Sequence, residues 1–476
     1  MPAAAMSYPR HVRAILTLGL PLIGGHLAQF AIHLTDTVMM GWHSVEGLAA
    51  LVLATALWFT LWIMGAGIAW AVMPLVASAE AEGDEIAVRR VTRMGLWLSV
   101  LFALACLPLV WFSGPLMRLL GQTPELSAAA QDYLRIAGPG LLPALLVMVL
   151  KSYLAALERT QVVLWITVAA AVANAAFNYA LIFGNWGAPE LGLRGAAIAS
   201  VATNTLALLF SAVYAAAALP QHRLFVRLWR PDWDVFRQVA RMGAAIGVTN
   251  LAEVALFSVS SVMMGWLGPA PPPAHGIPPP TPPPPLAAHG IALQIASATF
   301  MIHMGLSNAA TIRAGNAFGR GDAEHLARGA RAVLGLSLLA ALLTIVLFLA
   351  APGPLYALFL DPAEPARGEI MALGATLLAI AALFQLVDAA QVMALGLLRG
   401  VRDTAVPMVM AAISYWGVGI PGAWVMGFVL GWGGAGVWLG LTLGLACAGV
   451  LLMTRFWRRA VPRLRAGPGA AEGHAA

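Results

Sequence analysis

The five-residue stretch Val38-Met-Met-Gly-Trp42 recurs in this chain as Val262-Met-Met-Gly-Trp266. Its surroundings recur with it, because at the same displacement Leu27-Ala28 falls on Leu251-Ala252. Self-similarity over such a distance is the mark of a duplicated architecture. The second half of the chain is therefore predicted to repeat the fold of the first half.

The composition places the chain in a membrane. Hydrophobic residues make up 60% of it and charged residues only 10%, whereas soluble domains carry roughly 25% charged residues. In lipid every backbone polar group needs an internal partner, which leaves helices or a closed barrel. The apolar runs are about 20 residues long and do not alternate with polar residues, so helices are favoured. Cys106 and Cys447 each lie inside an apolar run and imply no disulfide framework.

The sequence predicts an all-α polytopic membrane protein of twelve transmembrane helices in two six-helix lobes. Gly- and Pro-rich segments separate the apolar runs. The predicted helices cover 14–38, 47–77, 92–114, 132–156, 162–184, 194–219, 238–267, 287–314, 328–350, 368–398, 404–429 and 435–456. The predicted domains are an N-terminal lobe 1–220, a linker 221–237, a C-terminal lobe 238–460 and a tail 461–476. Six helices per lobe form a parallel repeat about the membrane normal.

The distribution of basic residues predicts the orientation. Twelve spans put both termini on one side, and of the 27 lysines and arginines all but Arg118, Arg135, Arg194 and Arg367 fall on that side. The positive-inside rule then places both termini in the cytoplasm, which fits a multi-pass protein of the bacterial inner membrane. The same topology explains the net charge of +6, so no nucleic-acid partner is expected.

A proline-rich insertion interrupts the repeat. Residues 269–285 contain eleven prolines and are predicted to form a loop of extended or disordered polyproline on the outer side. Beyond it the correspondence resumes, since Gly83-Asp84 matches Gly321-Asp322. Two interpretations stay open for the insertion: a partner-binding or gating segment, or a tolerated expansion of a loop tip.

Three acidic residues, Asp36, Glu253 and Asp388, lie inside apolar helices. A charge at the centre of a membrane helix costs about 2.5–3.5 kcal/mol on the insertion scale, so such residues usually face a cavity and serve function. We therefore predict that they couple ions or protons. A solvated helix-end carboxylate is the alternative for Asp36, and a structural hydrogen-bond node for Asp388. The repeat aligns Gln29 with Glu253 and Asp36 with Ser260.

Other polar residues at membrane depth allow two interpretations. Asn174 and Asn178 lie one helical turn apart and, with Asp36, predict either an oxygen-rich cation site in the first lobe or interhelical hydrogen bonding. Lys151 and Arg399 fall near predicted helix ends. We expect both of these basic side chains to snorkel to the membrane interface.

A cavity between the two halves is the expected substrate site, since duplicated transporters bind substrate at the repeat interface. Methionines and aromatic side chains suit an adaptable apolar cavity, although they are equally common in the ordinary core and interfacial belts of membrane proteins. The candidate wall residues are Gln29, His33, Met39, Asn250, Met263, Phe384, Gln385 and Gln391.

Four segments carry a resemblance to a known family: Pro21-Leu-Ile…Asp36-Thr-Val-Met-Met-Gly41, Ala173-Asn174…Asn178-Tyr179, Leu191-Gly192…Gly195-Ala-Ala197 and Gln385…Asp388…Arg399-Gly400…Pro407. On them the chain resembles the MATE (multidrug and toxic compound extrusion) transporters of the bacterial NorM-like branch, over all twelve helices. The resemblance implies two lobes forming a V, and export of drugs or of cationic or amphipathic metabolites in exchange for Na⁺ or H⁺. It implies no other cofactor and no enzyme activity.

The resemblance also implies roles for single residues. Glu253 and Asp388 match the ion-coupling region of the second lobe, where Na⁺ would bind, and Asp36 matches the coupling carboxylate of the first lobe. The chain departs from the pattern twice. Asn178 stands where some relatives carry an acid, and Phe384 stands where NorM-like proteins can carry a tyrosine. The first departure leaves a first-lobe cation site with less charge, and the second removes one hydroxyl ligand from a Na⁺ site.

Two alternative functions are weaker. A lipid-linked oligosaccharide flippase of the same superfamily should place several basic residues in its cavity to hold pyrophosphate, and the sequence shows almost none at membrane depth. A membrane-embedded lipid-modifying enzyme should show a nucleophile and a base together, and no such pair, phosphate loop or metal-binding cluster is visible. The expected partners are therefore organic cations or amphipathic drugs and membrane lipids, and the expected state is a monomer.

Overall fold

The computed structural model describes residues 6–267, 284–362 and 364–466, and within these ranges it is helical with no β-strand. The helices are α1 Tyr8–His43, α2 Val45–Glu82, α3 Glu85–Trp111, α4 Ser113–Leu119, α5 Pro124–Ala137, α6 Leu141–Ala156, α7 Thr160–Phe183, α8 Leu193–Ala218, α9 Trp233–Trp266, α10 Pro284–Gly319, α11 Ala323–Ala350, α12 Pro352–Ala357, α13 Arg367–Gly400, α14 Ala405–Ala412, α15 Ile420–Trp424, α16 Gly433–Arg455 and α17 Val461–Ala466. The π-helical segment Ile413–Gly419 joins α14 to α15. A second π-helical segment, Val425–Val429, follows α15.

The number of membrane spans agrees with the prediction. Among the described residues eleven helical segments are long and apolar enough to cross a membrane, and the count is twelve if α5 and α6, bent by 50° at their junction, form one span. The bend falls at Gly138-Pro139-Gly140, where the proline has no N–H to continue the helix. The fourth predicted helix, 132–156, is therefore broken rather than continuous.

The duplication is visible in the local structure of the two halves. Gly83 ends α2 with a φ of +74°, and its counterpart Gly321 follows α10 with a φ of +65°. Asp84 then caps α3 by accepting a hydrogen bond from the Ala87 amide, as Asp322 caps α11. The left-handed conformation needs glycine and the cap needs a short acid. The matching residue pairs therefore encode the same helix–turn–helix corner twice.

The two lobes, α1–α8 and α9–α17, touch through glycines. A Cβ placed on Gly67 of α2 would overlap the carbonyl oxygen of Gly243 on α9, and one on Gly305 of α10 would overlap Ile23 of α1. The sequence repeat aligns Gly67 with Gly305, and Gly243 with Gly19. The same close helix–helix contact is thus made twice, once on each side of the pseudo-symmetric interface.

The closest contacts between the lobes lie toward the end of the bundle that holds Tyr8, Glu82 and Gly319, here called the terminal side. There Arg313 Nη2 of α10 donates to His11 Nδ1 of α1 at 3.2 Å and to His325 Nε2 of α11 at 2.9 Å. The space between the lobes contains a cavity, and a second cavity lies within the first lobe beside it.

Three segments that were predicted to lie outside the membrane helices contain helical residues. Residues 269–283 of the proline-rich insertion lie outside the described residues, but Pro284 and Pro285 form the first turn of α10 rather than the end of the predicted irregular loop. Proline is tolerated there because the first turn needs no N–H bond. α9 begins at Trp233, inside the predicted linker 221–237. The predicted tail 461–476 begins with α17, and residues 467–476 lie outside the described residues.

Gly440→Val tests the glycine packing inside the second lobe. A Cβ on Gly440 of α16 would overlap the backbone of Ala423 on α15, and overpacking costs about 1–3 kcal/mol. We expect the thermal unfolding midpoint of the detergent-solubilised protein to fall by several degrees. Gly335→Val is the matched control, because a Cβ there meets nothing within 4 Å. Equal midpoints for the two variants would contradict the close contact of α15 and α16.

Candidate functional site

A cavity of about 570 Å³ lies between the two lobes. Helices α1, α2, α6 and α7 of the first lobe and α9, α10 and α13 of the second form its wall. This volume is in the range of cavities that bind drug-sized molecules. Eleven of the lining residues are phenylalanine, tryptophan or methionine: Phe30, Phe59, Trp62, Trp70, Met73, Met148, Phe257, Phe300, Met301, Met304 and Phe384.

Two of the predicted acids, Glu253 and Asp388, line this main cavity from the second lobe. They come from different helices, α9 and α13, and are close enough to interact electrostatically. Asp388 is 2% exposed, and its Oδ1 has no hydrogen-bond partner among the described residues. A buried oxygen of this kind is expensive to leave unsatisfied. The pair therefore forms an acidic site that can accept a proton or a cation.

Arg399 places one positive charge beside this acidic site. Its guanidinium was expected at the membrane interface, but the residue is 7% exposed and its Nη2 donates to Asn250 Oδ1 at 2.9 Å. It also interacts electrostatically with Glu253. The expectation was wrong because α13 runs on to Gly400 and packs against α10 and α16, which turns this side chain inward.

Tyr415 is a residue of the acidic site that the sequence analysis missed. It is fully buried on the first π-helical segment, and its hydroxyl accepts a hydrogen bond from Gln391 Nε2 at 2.6 Å. The ring lies within electrostatic range of Glu253 and Asp388. A hydroxyl is thus present beside the acids although Phe384 carries none. A lone tyrosine within an apolar run was the only signal available in the sequence.

Asp36 forms a separate polar site in the first lobe. Its Oδ1 accepts hydrogen bonds from Asn174 Nδ2 at 3.0 Å and from Asn178 Nδ2 at 2.5 Å. Asn178 Nδ2 also donates to Asn174 Oδ1 at 3.2 Å. Both asparagines are fully buried on α7. The structure therefore brings the three predicted residues together, with both amides serving as donors in an interhelical hydrogen-bond network.

This first-lobe site opens onto a second cavity of about 400 Å³. Asp36 and Asn174 line only this smaller cavity, whereas Gln29, His33 and Lys151 line both cavities. Lys151 was expected to snorkel to the interface. The structure corrects this, because α6 presents the side chain to the space between the lobes rather than to lipid.

Half of the predicted wall residues line the main cavity, and half do not. Met39 and Met263 occupy equivalent positions in the repeat, and both are buried in the helix packing of their own lobes. Gln385 Nε2 donates to the Ala296 carbonyl of α10 at 3.1 Å, and Gln391 bonds to the π-helical segment. These four residues hold helices together. The residues that do line the main cavity are Gln29, His33, Asn250 and Phe384.

Phe384 shapes the main cavity as part of an aromatic cluster. Its ring meets Phe257 edge-on with centroids 5.9 Å apart, and Trp438 with centroids 5.5 Å apart. Edge-to-face pairs of this kind are favourable beyond their buried area. Phe384 therefore forms part of an apolar wall one turn before the acid of α13.

Within the described residues, no three His, Cys, Asp or Glu side chains gather as metal ligands would. A cation at Glu253 and Asp388 would need neutral oxygens to complete its coordination. Gln391 Oε1 has no hydrogen-bond partner in the described part of the chain, and the Tyr415 hydroxyl lies close by. Carboxylate, amide and hydroxyl oxygens are the ligands that hard cations prefer.

Comparison with known proteins identifies the family. The MatE family model matches residues 21–180 and 280–425. A probable multidrug resistance protein NorM of Rhizobium meliloti is 45% identical over 466 residues, which cover 98% of this chain and 97% of the relative. A second such protein, of Agrobacterium fabrum, is 42% identical over 96% of each chain. The crystal structure of a MATE protein in the straight conformation superposes with a TM-score of 0.83 at 18% identity, covering 96% of this chain and 97% of that one. The chain therefore belongs to the MATE family, in its bacterial NorM-like branch, and is a multidrug efflux transporter rather than an enzyme.

Proposed function

We propose that this transporter exports cationic or amphipathic organic compounds in exchange for Na⁺ or H⁺, by alternating access across the bacterial inner membrane. The observation that carries the proposal is the position of Glu253 and Asp388, which line the cavity between the lobes and come from different helices. An ion that neutralises them changes the charge of the substrate cavity directly. Both termini are proposed to lie in the cytoplasm, and the working unit is proposed to be a monomer.

The main cavity suits an organic cation with an aromatic body. Its rings offer faces and edges for stacking, and a cation over an aromatic face gains about 0.5–2 kcal/mol depending on its desolvation. Carboxylates attract the cationic centre and accept charge-assisted hydrogen bonds from it. Methionines such as Met301 and Met304 adapt to ligands of different shape. These features support a broad substrate range rather than one substrate.

Coupling between the ion and the substrate follows because both compete for the same two carboxylates. An ion bound at Glu253 and Asp388 removes the attraction for a substrate cation, and a bound substrate cation opposes entry of the ion. The effect is reciprocal, as for any coupled pair of ligands. Asp36 lines the smaller cavity only, so its coupling to substrate is indirect and acts through the first lobe.

The coupling ion remains a choice between Na⁺ and H⁺. Proton coupling needs only a carboxyl that gains and loses a proton, which Asp388 and Glu253 both offer. Sodium coupling needs several oxygens at once. The Tyr415 hydroxyl and the unpartnered Gln391 oxygen keep that route open in the second lobe.

Alternating access requires the lobes to separate at the terminal side. The glycine contacts between α2 and α9 and between α1 and α10 close that side in this structure. Rocking the lobes would break these contacts and expose the main cavity to the cytoplasm. The proposed cycle therefore has the glycine interface as its cytoplasmic gate.

The flippase alternative is less well supported. A pyrophosphate group carries several negative charges and calls for several basic residues. Among the described residues that line the main cavity, Lys151 is the single lysine or arginine. Multidrug export is therefore favoured over transfer of a lipid-linked oligosaccharide.

Asp388→Asn tests the role of the acidic site. The amide has nearly the same shape but neither binds a proton at neutral pH nor supplies a negative charge, so ion-driven efflux of a fluorescent organic cation from proteoliposomes should be lost. Imposed pH and Na⁺ gradients, applied separately to the wild type, identify the coupling ion. Asp132→Asn is the control. Asp132 is half exposed, forms an ion pair with Arg194 at a distance of 2.8 Å and lines neither cavity. Wild-type efflux by Asp388→Asn would overturn the proposed mechanism.

Asp36→Asn separates coupling from substrate binding. Because Asp36 does not line the main cavity, the variant should bind a fluorescent organic cation with the wild-type dissociation constant in detergent. It should nevertheless lose efflux driven by an ion gradient. A large loss of affinity would instead place Asp36 in the substrate site, contrary to the assignment of the two cavities.

A reversible cross-link tests alternating access. A Cβ placed on Gly19 lies 3.8 Å from the Cβ of Ala309, and disulfides join Cβ atoms about 3.5–4.5 Å apart. Gly19→Cys with Ala309→Cys, in a chain with Cys106 and Cys447 replaced by alanine, should cross-link on oxidation. Efflux should stop and return on reduction, while each single cysteine variant stays insensitive to oxidant. Unchanged efflux by the cross-linked protein would exclude separation of the lobes at this point.

A further inference from the structure

The main cavity carries opposite charges on the walls contributed by the two lobes. The second-lobe wall contains the acids Glu253 and Asp388, and the first-lobe wall contains Lys151 of α6. Apolar side chains, among them the phenylalanines, tryptophans and methionines named above, make up most of the remaining lining residues. The cavity is therefore dipolar, with an apolar middle.

Lys151 has no acidic partner. Within the described residues it forms no hydrogen bond, and no carboxylate lies within ion-pair distance of its ammonium. Its electrostatic neighbour His26 is engaged by the Nδ2 of Asn308 at 2.9 Å. Asp36 lines the smaller cavity that Lys151 also reaches, yet the two make no ion pair. The ammonium is thus held in the wall with its donors free for a ligand.

An unpaired cation in a membrane protein is expensive, and such residues usually serve function. A lysine in the cavity also opposes the binding of a simple organic cation, which is the class of substrate that the acids attract. Both facts are explained if the substrate brings its own negative charge. Such a ligand would replace the missing partner of Lys151 and still use the acidic wall.

We propose that Lys151 is an anion subsite of the substrate cavity, which takes the carboxylate of zwitterionic amphipathic substrates. The cationic centre of the same substrate faces Glu253 and Asp388, and its apolar body lies between them against the aromatic side chains. Lys151 then determines specificity in both directions, by attracting zwitterions and disfavouring simple cations. This inference rests on the proposed function and names the substrate class for it.

A matched pair of dyes tests the subsite: a rhodamine free acid, which is a zwitterion, and its methyl ester, which is a cation with the same ring system. Transport of each is measured in energised inverted membrane vesicles. Lys151→Met should lower kcat/KM for the acid by about tenfold or more, since a hydrogen bond to a charged group contributes that much. It should leave kcat/KM for the ester unchanged or raised, because a repelling charge is gone.

Two variants serve as controls. Lys151→Arg keeps the positive charge and should keep the preference for the acid. Leu146→Met changes a side chain of the same helix that lines neither cavity, and it should leave the ratio of the two dyes as in the wild type. If Lys151→Met does not reach the membrane, Lys151→Gln takes its place in the transport measurement. Equilibrium binding of both dyes to the purified wild type then measures the preference for the acid directly.

The outcomes separate the two proposals. Wild-type export of the ester, with no saturable transport or binding of the acid, would overturn the anion subsite and leave the proposed function standing. An acid-to-ester ratio unchanged by Lys151→Met and Lys151→Gln would overturn it as well. Export of neither dye by wild-type protein under any ion gradient would count against the proposed function itself.

Discussion

The close approach of two backbones at the lobe interface is the constraint on which the rest of this structure depends. Gly67 lies directly against Gly243, and any side chain there would push α2 away from α9. The mirrored contact joins Gly305 to Ile23 of α1. Together these contacts hold α1 and α2 against the second lobe, alongside the helix segments that line the main cavity. One of the helices held in this way is α9, which carries Glu253 into the wall of the cavity.

The duplication preserved this scaffold and let the polar chemistry of the lobes diverge. Gln29 and Glu253 occupy equivalent positions, and both line the main cavity. Ser260 stands where the first lobe has Asp36, but it is fully buried and donates to the Phe257 carbonyl of its own helix at 2.7 Å. The first-lobe acid therefore has no counterpart in the second lobe. An acid beside the substrate and an acid in a side cavity cannot perform the same step.

Sequence alone predicted features that arise from local chemistry or from the cost of burying charge. The helix count follows from apolar length, and Asp388 was predicted to face a cavity because a carboxylate in lipid is expensive, which agrees with its place in the main cavity. The orientation of polar side chains was harder, since a helix that is apolar on all sides gives no sign of which face meets a neighbour. Arg399 and Lys151 point inward, and Gln385 bonds to α10, because of contacts with helices distant in sequence. Tyr415 was missed for the same reason.

The dipolar cavity has a consequence for substrate release. In the proposed cycle, the ionised Glu253 and Asp388 together with Arg399 beside them carry a net charge of −1, so one ion taken up there cancels the negative wall, while the Lys151 ammonium keeps its charge. The cavity then changes from dipolar to net positive, so a simple organic cation loses its attraction and meets repulsion in the same step. A zwitterion loses only one of its two contacts. Release of a zwitterion therefore depends more on the rocking of the lobes and less on ion binding alone. The fixed charge of Lys151 thus makes the strength of coupling between transport and the ion depend on the substrate.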